Sequence, residues 1–249
     1  MPTLSRRHLL SLPLFAATLA LSTGAHAWSW SPVGAIEGSG KVIEDSRSVP
    51  AFQKLRLDGG FDVRVQIGGP AKVVVRADDN LQPLIVTRVE GDTLVVGTEQ
   101  EKNVHSRSKV LVTVTTPSLS AAALRGSGDL TIDGARGGPF ELSLSGSGDV
   151  RLGGADLSRL SVALAGSGDV HLQGRSETAS LSIAGSGDIF AAELQTRSTR
   201  ISIAGSGDAE VRASELLDVN IAGSGDVRYA GSPRVQRQLA GSGDVAPLH

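Results

Sequence analysis

The chain has 249 residues, with 26 acidic against 24 basic side chains and a formal charge of −2. That balance supplies no basic surface for nucleic acid, and the length suits one extended domain or two small ones. With no cysteine, a disulfide framework, a thiol nucleophile, a cysteine metal centre and a lipoprotein anchor are all excluded.

Residues 1–27 read as a signal peptide. Arg6 and Arg7 precede an apolar run from Leu9 to Leu21, and Ala25-His26-Ala27 forms an A-x-A cleavage site before Trp28. Ser5-Arg6-Arg7-His8-Leu9-Leu10 is twin-arginine-like, departing from that pattern at Leu9 and Ser11, so Sec export is the alternative. The apolar run is too short for a convincing membrane span. The expected location is therefore exported, in the periplasm or on the outer cell surface. Residues 28–47 form an irregular lead-in, in which Trp28 and Trp30 are expected to cap the first coil or, alternatively, to contact a partner or membrane.

Short strands without exact repeats follow: Lys54–Leu57, Phe61–Ile67, Lys72–Arg76, Leu84–Val89, Thr93–Val96 and Val110–Thr115. Gly59-Gly60-Phe61-Asp62-Val63 reads as a worn copy of a turn that then recurs seven times. Gly-Ser-Gly-Asp begins at Gly126, Gly146, Gly166, Gly185, Gly205, Gly223 and Gly241, in steps of 20, 20, 19, 20, 18 and 18 residues. A period of this size marks a solenoid, each repeat being one coil stacked on the last. The flanks alternate: Leu142 and Leu144 before one turn, Val150 and Leu152 after it, and the same spacing around later turns. Alternation over runs this short is a strand signal. The expected fold is all-β, a parallel β-helix with about 18–20 residues per coil, Gly-Ser-Gly-Asp turns and two main sheets facing each other. Residues 48–246 are expected to be one solenoid domain, with irregular first coils over 48–120 and regular repeats over 121–246. Glycine supplies the unusual backbone angles of the turn and aspartate can bond its amides.

Several stretches, in this order, carry a family resemblance. They are Ser48-Val49-Pro50-Ala51-Phe52, Leu55-Arg56-Leu57-Asp58-Gly59, Phe61-Asp62-Val63-Arg64-Val65, Asp79-Asn80-Leu81 and Val89-Glu90-Gly91-Asp92-Thr93-Leu94, followed by the repeated turns. Over about residues 40–246 the chain resembles the head GIN domain family, a domain of unknown function labelled "putative autotransporter adhesin". The resemblance implies a right-handed parallel β-helix in the bacterial envelope and brings no catalytic residues with it. Only five residues follow Asp244, so no translocator barrel is expected here.

Stacked coils place the turn aspartates Asp129, Asp149, Asp169, Asp188, Asp208, Asp226 and Asp244 in one column. Neighbouring carboxylates about 4.8 Å apart repel by roughly 1 kcal/mol in water and about 3.5 kcal/mol at an effective dielectric of 20. Turn amides are the expected offset. Calcium between turns is the alternative, since acidic oxygen-rich loops suit a hard cation; no other cofactor and no other metal is expected.

The outward positions before each turn are small: Ser143 and Ser145, Ala163 and Ala165, Ser182 and Ala184, Ser202 and Ala204, Asn220 and Ala222. A flat Ser/Ala face lacks the long charged side chains that guard against association. It is a candidate interaction face, for an envelope protein, a glycan or a second copy of the chain, or else a face of solvated small residues kept by duplication. Beyond the turns lie Arg151, His171, Phe190, Glu210 and Arg228. His171, Phe190 and Tyr229 break the repeat but supply no acid, base and nucleophile together. The histidines His105, His171 and His249 lack metal-ligand spacing. The expected function is a non-enzymatic envelope module for adhesion or scaffolding. A calcium-dependent binding module is the alternative, and a carbohydrate-active β-helix enzyme is the weaker one, resting on fold analogy. In the last coil Arg237 takes an inward position and Pro247 follows the turn, both of which blunt an exposed edge.

Overall fold

A computed structural model describes residues 36–98 and 109–248, with 104–105 described as strand. The expected signal peptide, Trp28, Trp30 and His249 lie outside the described residues. Those described contain no α-helix; a single short 3-10 turn spans Gln82–Leu84.

From Ala121 onward the fold is the expected parallel solenoid. Strands β10 (Ala121–Gly126) and β11 (Leu130–Asp133) flank the first turn. Longer strands follow: β12 (Arg136–Gly146), β13 (Val150–Gly166), β14 (Val170–Gly185), β15 (Ile189–Gly205) and β16 (Ala209–Gly223). Each pairs in parallel with the next, and all the turns stay in register: Gly146 opposite Gly166, then Gly185, Gly205 and Gly223. The strands are long because pairing continues around the corners.

Each coil has three sides. In β13 the buried residues are Val150 and Leu152 after the turn, Ala155 and Leu157 on a second run, and Leu160, Val162 and Leu164 before the next turn. The expected two facing sheets are instead three: the segment after Leu152 is a paired third side, with Ala155, Asp156 and Leu157 opposite Gly174, Arg175 and Ser176. Stacked aliphatic columns fill the interior, such as Leu124, Leu144, Leu164, Ile183, Ile203 and Ile221. Each such side chain contributes about 1.5–3 kcal/mol by leaving water.

The turn sequence follows from this stacking. Gly166 has φ +134, and a Cβ there would overlap the carbonyl oxygen of Gly146 one coil earlier. At Gly168 a Cβ would overlap the carbonyl oxygen of Gly148. Both glycines are needed because coils touch through bare backbone, and the Ser167 amide bonds the Gly146 carbonyl at 3.0 Å.

The N-terminal part departs from a simple run of coils. Strands β3 (Lys54–Gly59) and β4 (Asp62–Ile67) do form the expected worn coil, with Gly59 in register with Gly126 and Val63 with Leu130. Beyond it the chain doubles back. Strand β7 (Thr93–Thr98) lies against β3, and β9 (Leu111–Thr116) against β4, both parallel. Antiparallel strands then close the end: β6 (Ile85–Glu90) on β7, and β5 (Lys72–Asp78) between β9 and β2 (Val42–Arg47). The expected series of first coils is thus a non-sequential cap that covers the apolar end of the column. Arg47 pins it, donating to the Gln82 carbonyl at 2.9 Å and to Ile85 O, while Gln82 donates to Val75 O at 2.7 Å. A small separate pair joins β1 (Ile36–Glu37) to β8 (Val104–His105).

Among the described residues the other end has no cap. Strands β17 (Val227–Ala230), β18 (Arg234–Gly241) and β19 (Val245–Pro247) complete the last coils. Arg237 stands in register with Val219 and Leu239 with Ile221, but Leu239 is 41% exposed because no described strand covers it.

Candidate functional site

Three outer surfaces and the turn column compete as functional sites. The aspartates do stack, and their bonding is specific. The amide of Asp149 donates to Oδ1 of Asp129, that of Asp169 to Asp149 and that of Asp188 to Asp169, each at 3.2 Å. The series continues with Asp208 on Asp188, Asp226 on Asp208 and Asp244 on Asp226, at 2.7–2.8 Å. Each carboxylate except the last therefore accepts the next coil's amide, a charge-assisted bond that offsets the repulsion along the column. The aspartate carbonyls are used as well, Val150 N donating to Asp169 O at 2.8 Å. Among the described residues, no group of three or more potential ligands is placed to hold a metal ion.

The side before the turn carries the small residues in aligned columns. Ser143, Ala163, Ser182, Ser202 and Asn220 form one; Ser145, Ala165, Ala184, Ala204 and Ala222 form the next. All are exposed except the half-buried Ser143. Near the cap this face sinks into a shallow depression of about 470 Å³, floored by Ala121, Ala123 and Ser143 and edged by Lys54, Arg56 and Glu141. Arg56 is held there by Asp58 at 2.8 Å and Glu90 at 3.4 Å. Arg88, with Arg56, keeps the Glu90 carboxyl below the usual range.

On the side after the turn, Arg151, His171, Phe190, Glu210 and Arg228 form one outward column. His171 and Phe190 stack with ring centroids 4.8 Å apart. Tyr229 is not with them. It lies in the inward column opposite Val211 and packs against the core. The repeat-breaking residues therefore do not converge.

The third side holds a feature that sequence reasoning missed. A groove of about 1060 Å³ crosses the coils from Gly137 to Ser232. Arg175 makes a bidentate bridge to Asp156 of the previous coil, at 2.7 and 2.8 Å. The guanidinium holds the Asp156 carboxyl below its ordinary value, and the carboxylate raises Arg175 in return. Arg197 pairs with Glu215 at 2.7 Å and is raised by it. Arg212 donates from Nε to the Ala192 carbonyl at 2.9 Å. Every residue of length variation between β15 and β16 falls on this side: the register slips between Ala191 and Gln195 and again between Thr196 and Ser198. The only signal in the sequence was the shortening of the repeat from 20 to 18 residues.

A family model described as "Putative auto-transporter adhesin, head GIN domain" matches residues 51–233. Among solved structures, one named a putative adhesin from Bacteroides fragilis is 27% identical, with a TM-score of 0.82. One named a putative lipid binding protein from Parabacteroides distasonis is 26% identical, with a TM-score of 0.74. In both cases the match covers 86% of this chain and 100% of the other. A putative adhesin from Parabacteroides merdae, 22% identical with a TM-score of 0.68, shares the fold over 87% of this chain and 100% of its own. No curated protein matches the chain.

Proposed function

Because the chain belongs to the head GIN domain family of "putative auto-transporter adhesins", we propose that it is an exported, non-enzymatic β-solenoid serving the bacterial envelope as an adhesion or scaffold module. The observation that carries this reading is the aligned Ser/Ala face. Two columns of small outward side chains run unbroken from β12 to β16 on a rigid paired backbone. A flat surface of this kind lets an extended partner, or a second copy, approach the sheet closely at every coil. Weak contacts repeated at each step then add through multivalency.

The reading predicts an exposed location. In intact cells, added protease should degrade the protein while a periplasmic control survives. Protection until the outer membrane is breached would contradict adhesion to outside targets and leave a periplasmic scaffold. The structural relative named a lipid binding protein supplies the competing ligand class. Co-sedimentation with phosphatidylglycerol vesicles, abolished by glutamate at Ala184 and Ala204 on the Ser/Ala face, would replace the adhesion reading with it.

A further inference from the structure

The groove on the third side uses none of the Ser/Ala positions, so it stands apart from the proposed adhesive face. Its shape points to a long ligand. Residues of β12, β13, β14, β15 and β16 all line it, so it follows the column axis, offering a fresh set of groups at each step of about 4.8 Å. A sugar ring in an extended chain advances by a comparable distance.

Its chemistry narrows the class. Two guanidiniums are paired with carboxylates, Arg175 with Asp156 and Arg197 with Glu215; the third, Arg212, donates to a backbone carbonyl, and Glu177 adds a further carboxylate, so the charges along the groove largely balance. A polyanion or a polycation gains little from such a lining. Paired groups instead present fixed N–H donors beside carboxylate acceptors, and a hydroxyl is both donor and acceptor. Gln195 and Ser214 add further neutral partners. The two aliphatic side chains of the lining, Leu157 and Ala213, are 5% and 1% exposed, so the carbon surface of the groove belongs mainly to the stems of its polar side chains, interleaved with their polar ends. The third side is also where the repeat loses its regularity, and selective recognition needs a place unlike its neighbours.

We propose that this groove binds a neutral, linear oligosaccharide. The pairs within it are preorganised by cross-coil bonds, so little ordering is required on binding. The test is calorimetric titration of the mature chain with cellohexaose and chitohexaose. At least one should bind in the micromolar to millimolar range, and its disaccharide should bind at least about tenfold more weakly, because fewer coils are engaged. Ser214→Trp, which fills the groove from an exposed position, and Arg212→Ala should each weaken binding by at least about tenfold (each tenfold corresponding to about 1.4 kcal/mol). Ala184→Lys on the other face should leave it unchanged. The proposal is overturned if neither hexasaccharide binds, or if both groove variants bind like the parent. Preference for a galacturonate hexamer or for phosphatidylglycerol vesicles would overturn it as well. Each of these results leaves the adhesive face, probed by different residues, to stand or fall separately.

Discussion

At the scale of single residues, the Gly-Ser-Gly-Asp motif is a stacking device. The first glycine has positive φ in every copy, and the Cβ overlap at Gly166 involves backbone, which cannot move aside. Gly166→Ala should therefore cost roughly 2–4 kcal/mol in urea unfolding, combining backbone strain with overpacking. Gly137 has φ +100 but open space where its Cβ would be. Gly137→Ala should cost only about 1 kcal/mol, and equal losses at the two positions would contradict the stacking argument. The aspartate acts as an acceptor for the next amide, as at Asp169 and Asp188. Asp169→Ala should lose about 0.5–1.5 kcal/mol, whereas Asp169→Asn keeps the acceptor and relieves repulsion, so it should be neutral or stabilising. A calcium-bound column would behave differently. Adding calcium would raise the Tm, and Asp169→Asn would reduce that rise.

At the scale of elements, the legible parts were those that repeat. Alternating Leu, Ile and Val around each turn identified the strands, and the shared glycines fixed their register, down to the worn turn at Gly59. Two things were not legible. Alternation in residues 54–116 located strands without naming their partners, so the insertion of β7 and β9 outside β3 and β4 could not be read. The third side was hidden because its inward positions are short and mixed, Ala155 and Leu157 in one coil and Ser176 in the next. Asp156, Arg175 and Arg212 lie outside the alternating runs, so nothing in the sequence singled them out. Their pairing has a pH consequence. Arg175 depresses Asp156 in the folded chain below the ordinary value of 3.8. A depressed carboxyl stabilises the fold above its unfolded pKa and loses that contribution as pH falls through the folded value. The stability difference between the parent and Asp156→Asn should therefore be level from neutral pH down to mildly acidic pH and fade below 3.8. A difference that grew on acidification would contradict the pairing.

At the scale of the molecule, the described residues form a column that is closed at one end and left uncapped at the other. Antiparallel strands and Arg47 seal the first coil, while Leu239 is left partly uncovered at the last. Arg237 and Pro247 make that open edge a poor template for continued stacking. Growth by addition at that edge is thus discouraged, and the candidate surfaces lie on the sides of the described column. The central claim is that the Ser/Ala side is the adhesive one, and it is tested most directly by adherence of protein-coated beads to bacterial cells. Ala184→Lys with Ala204→Lys places two long cations on exposed positions of adjacent coils. That variant should keep the fold and Tm of the parent and lose most of its adherence. A matched His171→Lys change on the neighbouring side should retain it. Undiminished adherence of the Ala184→Lys, Ala204→Lys variant would contradict the account.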